Sequence, residues 1–152
     1  MKQTPELDRI QELMQPGVIS KDGFLGNDTR NLTDILADDQ RIVTNLGFTH
    51  QELANAMEEL TEVGKKAFGN PVLVRGFLEV TVDSSKGKMA SPFGGLFDKE
   101  NVVVVNKKTG ESIRWTTLNI HMIRDHGFYE GKGSYFRVEP EDLVRVLELY
   151  VG

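Results

Sequence analysis

The amino-acid sequence predicts an α+β fold: an N-terminal αα-hairpin followed by a three- to four-stranded antiparallel sheet with helices on one face. Three observations carry this expectation. Apolar residues recur at helical spacing from Leu32 to Phe68, alternate with polar ones from Val72 to Asp83, and return to helical spacing after Pro140. One domain over residues 1–152 is expected, mainly helical to residue 70 and strand-rich with two helices beyond it. A chain of this length can bury about 68–70% of its extended surface, enough for a core without staples.

Pro5 opens a short helix carrying Leu7, Ile10, Leu13 and Met14, and Pro16-Gly17 ends it. The run to Asn31 reads as a loop, with room for a short strand at Val18-Ile19. Its Asp22-Gly23 and Gly26-Asn27-Asp28 are turn formers rather than a calcium loop, because alternate acidic oxygens closed by a Glu are missing. The stripe Leu32, Ile35, Leu36, Ile42, Val43, Leu46 predicts the next helix. Asp39 falls inside that stripe, where it either pairs with a cation across the edge of the core or stays wet at the helix end.

Gly47 suits a helix C-cap, Thr49 with Glu52 forms a capping box, and Phe48 with Leu53 stands at staple spacing. The helix they start should bury Leu53, Met57, Leu60, Gly64 and Phe68, with Gly64 marking the close approach of another backbone. The hairpin NLGFTHQELANAME resembles a helix-turn-helix DNA reader. However, Val43 stands where that motif takes a small residue. The would-be recognition helix offers Glu52, Glu58 and Glu59 before its first Lys, and carboxylates are repelled by phosphate.

Pro71 opens a strand whose even-numbered face, Val72 to Val82, should be buried. Residues 84–101 read as a long loop or irregular hairpin with a short strand near Lys88-Met89. Val102–Val105 is apolar on both faces and reads as a central strand. The turn Asn106–Gly110 leads to a strand through Ile113 and Trp115. The stretch 113–137 then supplies a short helix, with Trp115, Leu118, Met122 and Ile123 on one face and Gly127 as its left-handed stop. Pro140 begins the last helix, which should bury Leu143, Val144, Leu147 and Tyr150.

The net charge of −5 is uneven. Residues 1–70 hold 7 Lys/Arg against 12 Asp/Glu, whereas residues 86–137 hold 9 against 5. The acidic balance disfavours general nucleic-acid binding, while the basic segment suits one small anion. With no cysteine, disulfides, thiolate nucleophiles and Cys-based metal sites are excluded, which fits a cytoplasmic location. The N-terminal residues lack a signal-peptide core and no apolar run approaches membrane-spanning length, so no membrane association is expected.

The candidate site lies at the end of the central helix. Asn119 and His126, seven residues apart, fall within roughly 20° of each other on the apolar stripe. His121 and His126 point about 140° apart, which argues against a shared metal, and His121 pairs more naturally with Asp125. The loop GFYEGKGSYFR follows. Lys132, Gly133, Ser134 and Arg137 suit a phosphate or carboxylate, and Tyr129 and Tyr135 flank them. Without the spaced glycine and Lys-Ser/Thr pair it is not a P-loop.

Acid/base candidates are His126, His121, Asp125 and Glu130; no nucleophile elbow, metal set or cofactor motif is present. The favoured reading is a non-catalytic cytoplasmic binding or regulatory protein that contacts a protein partner or small anion through residues 124–137, with a homo-oligomer allowed. The alternatives are a small enzyme working through His126 and, last, DNA binding through residues 32–68.

Overall fold

The computed structural model describes residues 2–150. Helices α1 (Pro5–Leu13), α2 (Leu32–Asn45) and α3 (His50–Lys65) precede four strands, β1 (Val72–Val74), β2 (Leu78–Ala90), β3 (Leu96–Asn106) and β4 (Ser112–Thr116). Helices α4 (Thr117–His126) and α5 (Pro140–Leu147) close the chain. The fold is α+β, with an N-terminal helical hairpin and an antiparallel sheet in the order β1-β2-β3-β4. Every sheet neighbour is also a chain neighbour, so short turns suffice to connect them.

The local signals explain most boundaries. Thr49 accepts the Glu52 amide at 3.1 Å, and the Glu52 carboxylate accepts the Thr49 amide at 2.9 Å, closing the expected capping box on α3. Leu78, Val80 and Val82 are buried, and Val72 and Val74 are half-buried, as the alternation requires. Helix α3 lies over this face together with α4. A Cβ on Gly64 would meet Val82 Cγ2 at 2.6 Å and Val80 Cγ1 at 2.9 Å. The close approach is therefore to strand side chains, not to another backbone.

Several expectations are corrected. Val18-Ile19 forms no strand; Val18 is exposed in a turn where the Gly17 amide bonds to the Ser20 carbonyl at 2.8 Å. Trp115, expected both in the strand and on the helix face, belongs to β4 alone, paired with Val102, because the helix cannot begin before its cap at Thr116. Helix α3 ends at Lys65, so Phe68 lies beyond it, 92% exposed with φ +52°. β3 is an interior strand covered on one face only, which leaves Val103 exposed. Tyr150 is also exposed, since Glu148 turns left-handed and ends α5.

The polar run after Val82 continues β2 rather than leaving the sheet. β2 and β3 pair from Leu78↔Asn106 out to Ala90↔Leu96, interrupted by a bulge between Ser85 and Lys88. β1 and β4 stop short of that outer part, so residues 84–100 form a two-stranded arm. Phe93, Phe97 and Met89 on this arm pack against a second apolar cluster built on Met14, Phe24, Leu118, Met122 and Phe128. The main cluster joins the sheet to α3, α4 and α5 around Trp115 and Tyr129.

Candidate functional site

Thr116 and Asn119 set the position of the site. The Thr116 hydroxyl accepts the Asn119 amide at 3.1 Å, while Asn119 Oδ1 accepts the Thr116 amide at 2.8 Å. This is a second capping box, with Asn in the place usually held by Glu or Gln. It holds Asn119, wholly buried, with its amide nitrogen free to donate sideways. That nitrogen reaches Glu130 Oε2 at 2.9 Å and the Phe136 carbonyl at 3.2 Å.

At the other end of α4, Gly127 (φ +63°) reverses the chain so that residues 128–138 fold back along the helix. Tyr129 and Glu130 then point to different partners. The Tyr129 hydroxyl lies 2.8 Å from His50 Nδ1, and His50 Nε2 lies 2.8 Å from Gln40 Oε1. An amide oxygen only accepts, so Nε2 carries the proton and Nδ1 accepts from Tyr129. Burial favours this neutral imidazole and holds the His50 pKa below its ordinary value.

Glu130 is 4% exposed, with a left-handed backbone at φ +70°, uncommon for a residue with a side chain. Its Oε1 accepts the Ser134 hydroxyl at 2.7 Å. Arg137 donates to the Glu130 backbone carbonyl at 2.6 Å, which helps to fix that conformation. The rest of the guanidinium is spent on Asp39, at 2.9 and 3.0 Å, and on Glu139 at 2.6 Å. Asp39 thus finds its cation, and Arg137 is a buried structural residue rather than a free one. Burial pushes the Glu130 carboxyl up to about 7, against the opposing hydrogen bonds from Ser134 and Asn119 and the charge of Arg137.

The glycine-rich loop is tied to the segment before α2. The Gly131 amide donates to the Phe24 carbonyl at 2.9 Å, and the Lys132 amide to Asp28 at 3.0 Å. The Asn27 amide returns a bond to the Lys132 carbonyl at 3.2 Å. A Cβ on Gly131 would sit 2.3 Å from the Leu25 carbonyl oxygen, and one on Gly26 would sit 2.2 Å from the Ser134 nitrogen. The glycines therefore permit backbone-to-backbone packing, and the amides of Gly131 and Lys132 are already used. Lys132 itself points to solvent.

Between this double loop and the arm lies a cavity of about 840 Å³. Ile19–Phe24 forms one wall, Ser85 and Lys88–Ala90 with Leu96 and Lys99 a second, and Gly133–Phe136 a third. Thr116, Leu118 and Glu130, all nearly inaccessible, complete its lining. Lys21, Lys88 and Lys99 are exposed at its surface, with Asp22 beside them. Lys88 pairs with Asp98; among the described residues no carboxylate pairs with Lys21 or Lys99.

Of the expected site residues, Glu130, Gly133, Ser134 and Tyr135 line this cavity, and Asn119 holds Glu130 from behind. The others lie elsewhere. His126 is exposed at the end of α4, stacked on Phe93 with ring centroids 4.0 Å apart, and so does not share the buried stripe with Asn119. His121 lies tilted against Phe97, with ring centroids 3.9 Å apart, and bonds to Asp125 at 2.9 Å, as its spacing predicts. The two imidazoles nevertheless come within 6.0 Å, because the arm draws both rings toward its phenylalanines. Among the described residues no three His, Asp or Glu side chains are grouped to hold a metal ion.

The sequence reading missed His50, Gln40 and the three lysines of the cavity. Only the charge excess of residues 86–137 hinted at Lys88 and Lys99. No family model, no curated protein and no solved structure matches the chain.

Proposed function

We propose that this chain is a binding protein whose site is the 840 Å³ cavity, and that it takes a small organic anion with an apolar body. One observation carries the reading: a cavity of ligand size with a largely apolar lining, to which nearly inaccessible polar groups and exposed lysines both contribute. Leu118, Met89 and Phe136 offer surface for the body of such a ligand, and Lys21 and Lys99 offer charge for its anionic group. The cytoplasmic location suggested by the cysteine-free sequence belongs to the same proposal. Among the described residues no helix is long and apolar enough to cross a membrane.

Thermal-shift titration tests it directly. A ligand at one hundred times its Kd stabilises the folded state by about 2.7 kcal/mol, a shift of several degrees for a domain of this size. Aromatic carboxylates, phosphate esters and nucleotides should raise the melting temperature. Lys99→Ala and Lys21→Ala should lower the response without lowering the unliganded melting temperature. No response to any of them would refute the cavity reading and favour a protein interface around exposed Leu96 and Tyr135.

A second reading, acid/base catalysis, is favoured by Glu130. A buried carboxyl poised near neutrality in a cavity suits a general acid or base better than His126 does. DNA binding is disfavoured by the outer face of α3, which presents Glu52, Glu58 and Glu59.

A further inference from the structure

The state of Glu130 decides what kind of ligand atom can meet it. Its two carboxylate oxygens accept from neutral donors, Ser134 Oγ and Asn119 Nδ2. Among the described residues no cation bonds to either oxygen. The nearest guanidinium, Arg137, is taken by Asp39 and Glu139 and touches Glu130 only at its backbone carbonyl. A buried carboxylate without a cationic partner is costly, and the cost is relieved by a proton.

The surrounding charges do not replace that partner. From the loop before α2, Lys21 and Asp22 line the same cavity with opposite signs. From the arm come Lys88, already paired with Asp98, and Lys99, exposed at the surface. On the glycine-rich loop Lys132 points outward, with its amide on Asp28. Towards Glu130 helix α4 offers the neutral Asn119 and β4 the neutral Thr116; the β4 guanidinium of Arg114 is held on the Tyr135 ring, hydroxyl and carbonyl, and α2 contributes Asp39 behind Arg137.

We infer that the cavity takes up its organic anion together with one proton carried on the Glu130 carboxyl, so that Glu130 meets the ligand as a hydrogen-bond donor. This rests on the cavity being the binding site. An ionised Glu130 would repel the anion that the lysines attract, whereas the acid form donates to it through a strong charge-assisted bond. Burial already raises the Glu130 carboxyl to about 7 in the free protein, so it holds the proton below neutral pH and takes one up with the ligand above it.

The test uses 2-naphthoate and 2-naphthalenesulfonate, aromatic anions that stay singly charged from pH 5.5 to 8.5. Binding to the full chain is measured by calorimetry across that range. For both probes the Kd should be nearly constant below pH 6.5 and rise about tenfold per unit well above pH 7, the slope for uptake of one proton. At pH 8 the binding enthalpy should vary with the ionisation enthalpy of the buffer by an amount matching that proton.

Glu130→Gln supplies a permanent neutral donor. Its oxygen can accept from Asn119 while its nitrogen donates to Ser134, whose hydroxyl rotates to suit. This variant should bind with a Kd that no longer depends on pH. A residue with a merely structural role would weaken binding without flattening the profile. Ser134→Ala is the second variant. It removes a donor that favours the ionised form, so the fall in affinity should move to higher pH. Probe binding with no pH dependence would overturn the proton-linked proposal and leave the cavity reading standing. No binding of either probe at any pH would overturn both.

Discussion

Replacing Asp39 with alanine should be among the most damaging single changes this chain can suffer. Asp39 and Arg137 meet through two bonds of 2.9 and 3.0 Å, with side chains only 2% and 4% exposed. Removing one partner of such a pair typically costs 3–5 kcal/mol, because the other charge is left buried. Here Glu139, bonded to Arg137 Nε at 2.6 Å and half-exposed, retains part of the compensation. The expected loss is therefore at the lower end, about 3 kcal/mol. Against a total stability of roughly 5–15 kcal/mol, that is a large fraction. Urea denaturation followed by circular dichroism should show a lower midpoint at unchanged slope.

The paired replacement Asp39→Leu with Arg137→Met gives the control. Apolar residues of similar volume often replace a buried ion pair at little cost, so the double variant should be more stable than Asp39→Ala. It still loses the bond to the Glu130 carbonyl, worth about 1 kcal/mol. A loss below 1 kcal/mol for Asp39→Ala, or a double variant no better than the single one, would refute the reasoning.

Three further outcomes are expected. Gly64→Ala forces a methyl group onto Val80 and Val82 and should cost about 1–3 kcal/mol by overpacking, measured by urea denaturation. Tyr129→Phe leaves His50 Nδ1 without its donor; it should cost about 1 kcal/mol and raise the pH at which His50 protonates, read from imidazole NMR shifts. Glu130 binds its proton more tightly folded than unfolded, so it weakens the fold as pH rises from its ordinary value of 4.5 to about 7. His50 and His126, both lowered, act in the opposite sense as pH falls through the imidazole range. The stability difference between the parent and Glu130→Gln isolates the carboxyl: over that window the parent should lose on the order of 3 kcal/mol relative to the variant. A difference independent of pH would contradict the assignment.

Features written in local sequence were readable before the structure. The Thr49–Glu52 box, the alternation through β2 and the Gly127 stop each depend on residues a few positions apart, and each forms. The Thr116–Asn119 box was overlooked because Asn stands where Glu or Gln is the usual signal, so Trp115 reads both as part of the strand and as part of the face of the helix that follows it. Helical periodicity put His126 on the buried stripe, but it terminates α4, where no following turn covers it. The partner of Asp39 could be anticipated as a cation but not named, since Arg137 lies 98 residues further on. The arm was legible only as a loop or irregular hairpin, and its length was missed, because Ser84–Lys88 is polar on both faces: it pairs through its backbone and makes a wall rather than a core.

The link between the Gly131–Ser134 loop and the residues before α2 also constrains how the molecule comes into being. Asp28 and the Lys132 amide are separated by 104 positions, and the Phe24 carbonyl waits for an amide still more distant in sequence. A ribosome releases the first of these groups long before the second exists. Until then residues 24–28 lack the Gly131–Ser134 backbone that they pack against, and the closure entropy of so long a loop falls due only when the last fifth of the chain emerges. The sheet meander, built from neighbours in sequence, can form without that closure. The ligand pocket cannot, so a nascent or C-terminally shortened chain can hold much of the fold while being unable to bind.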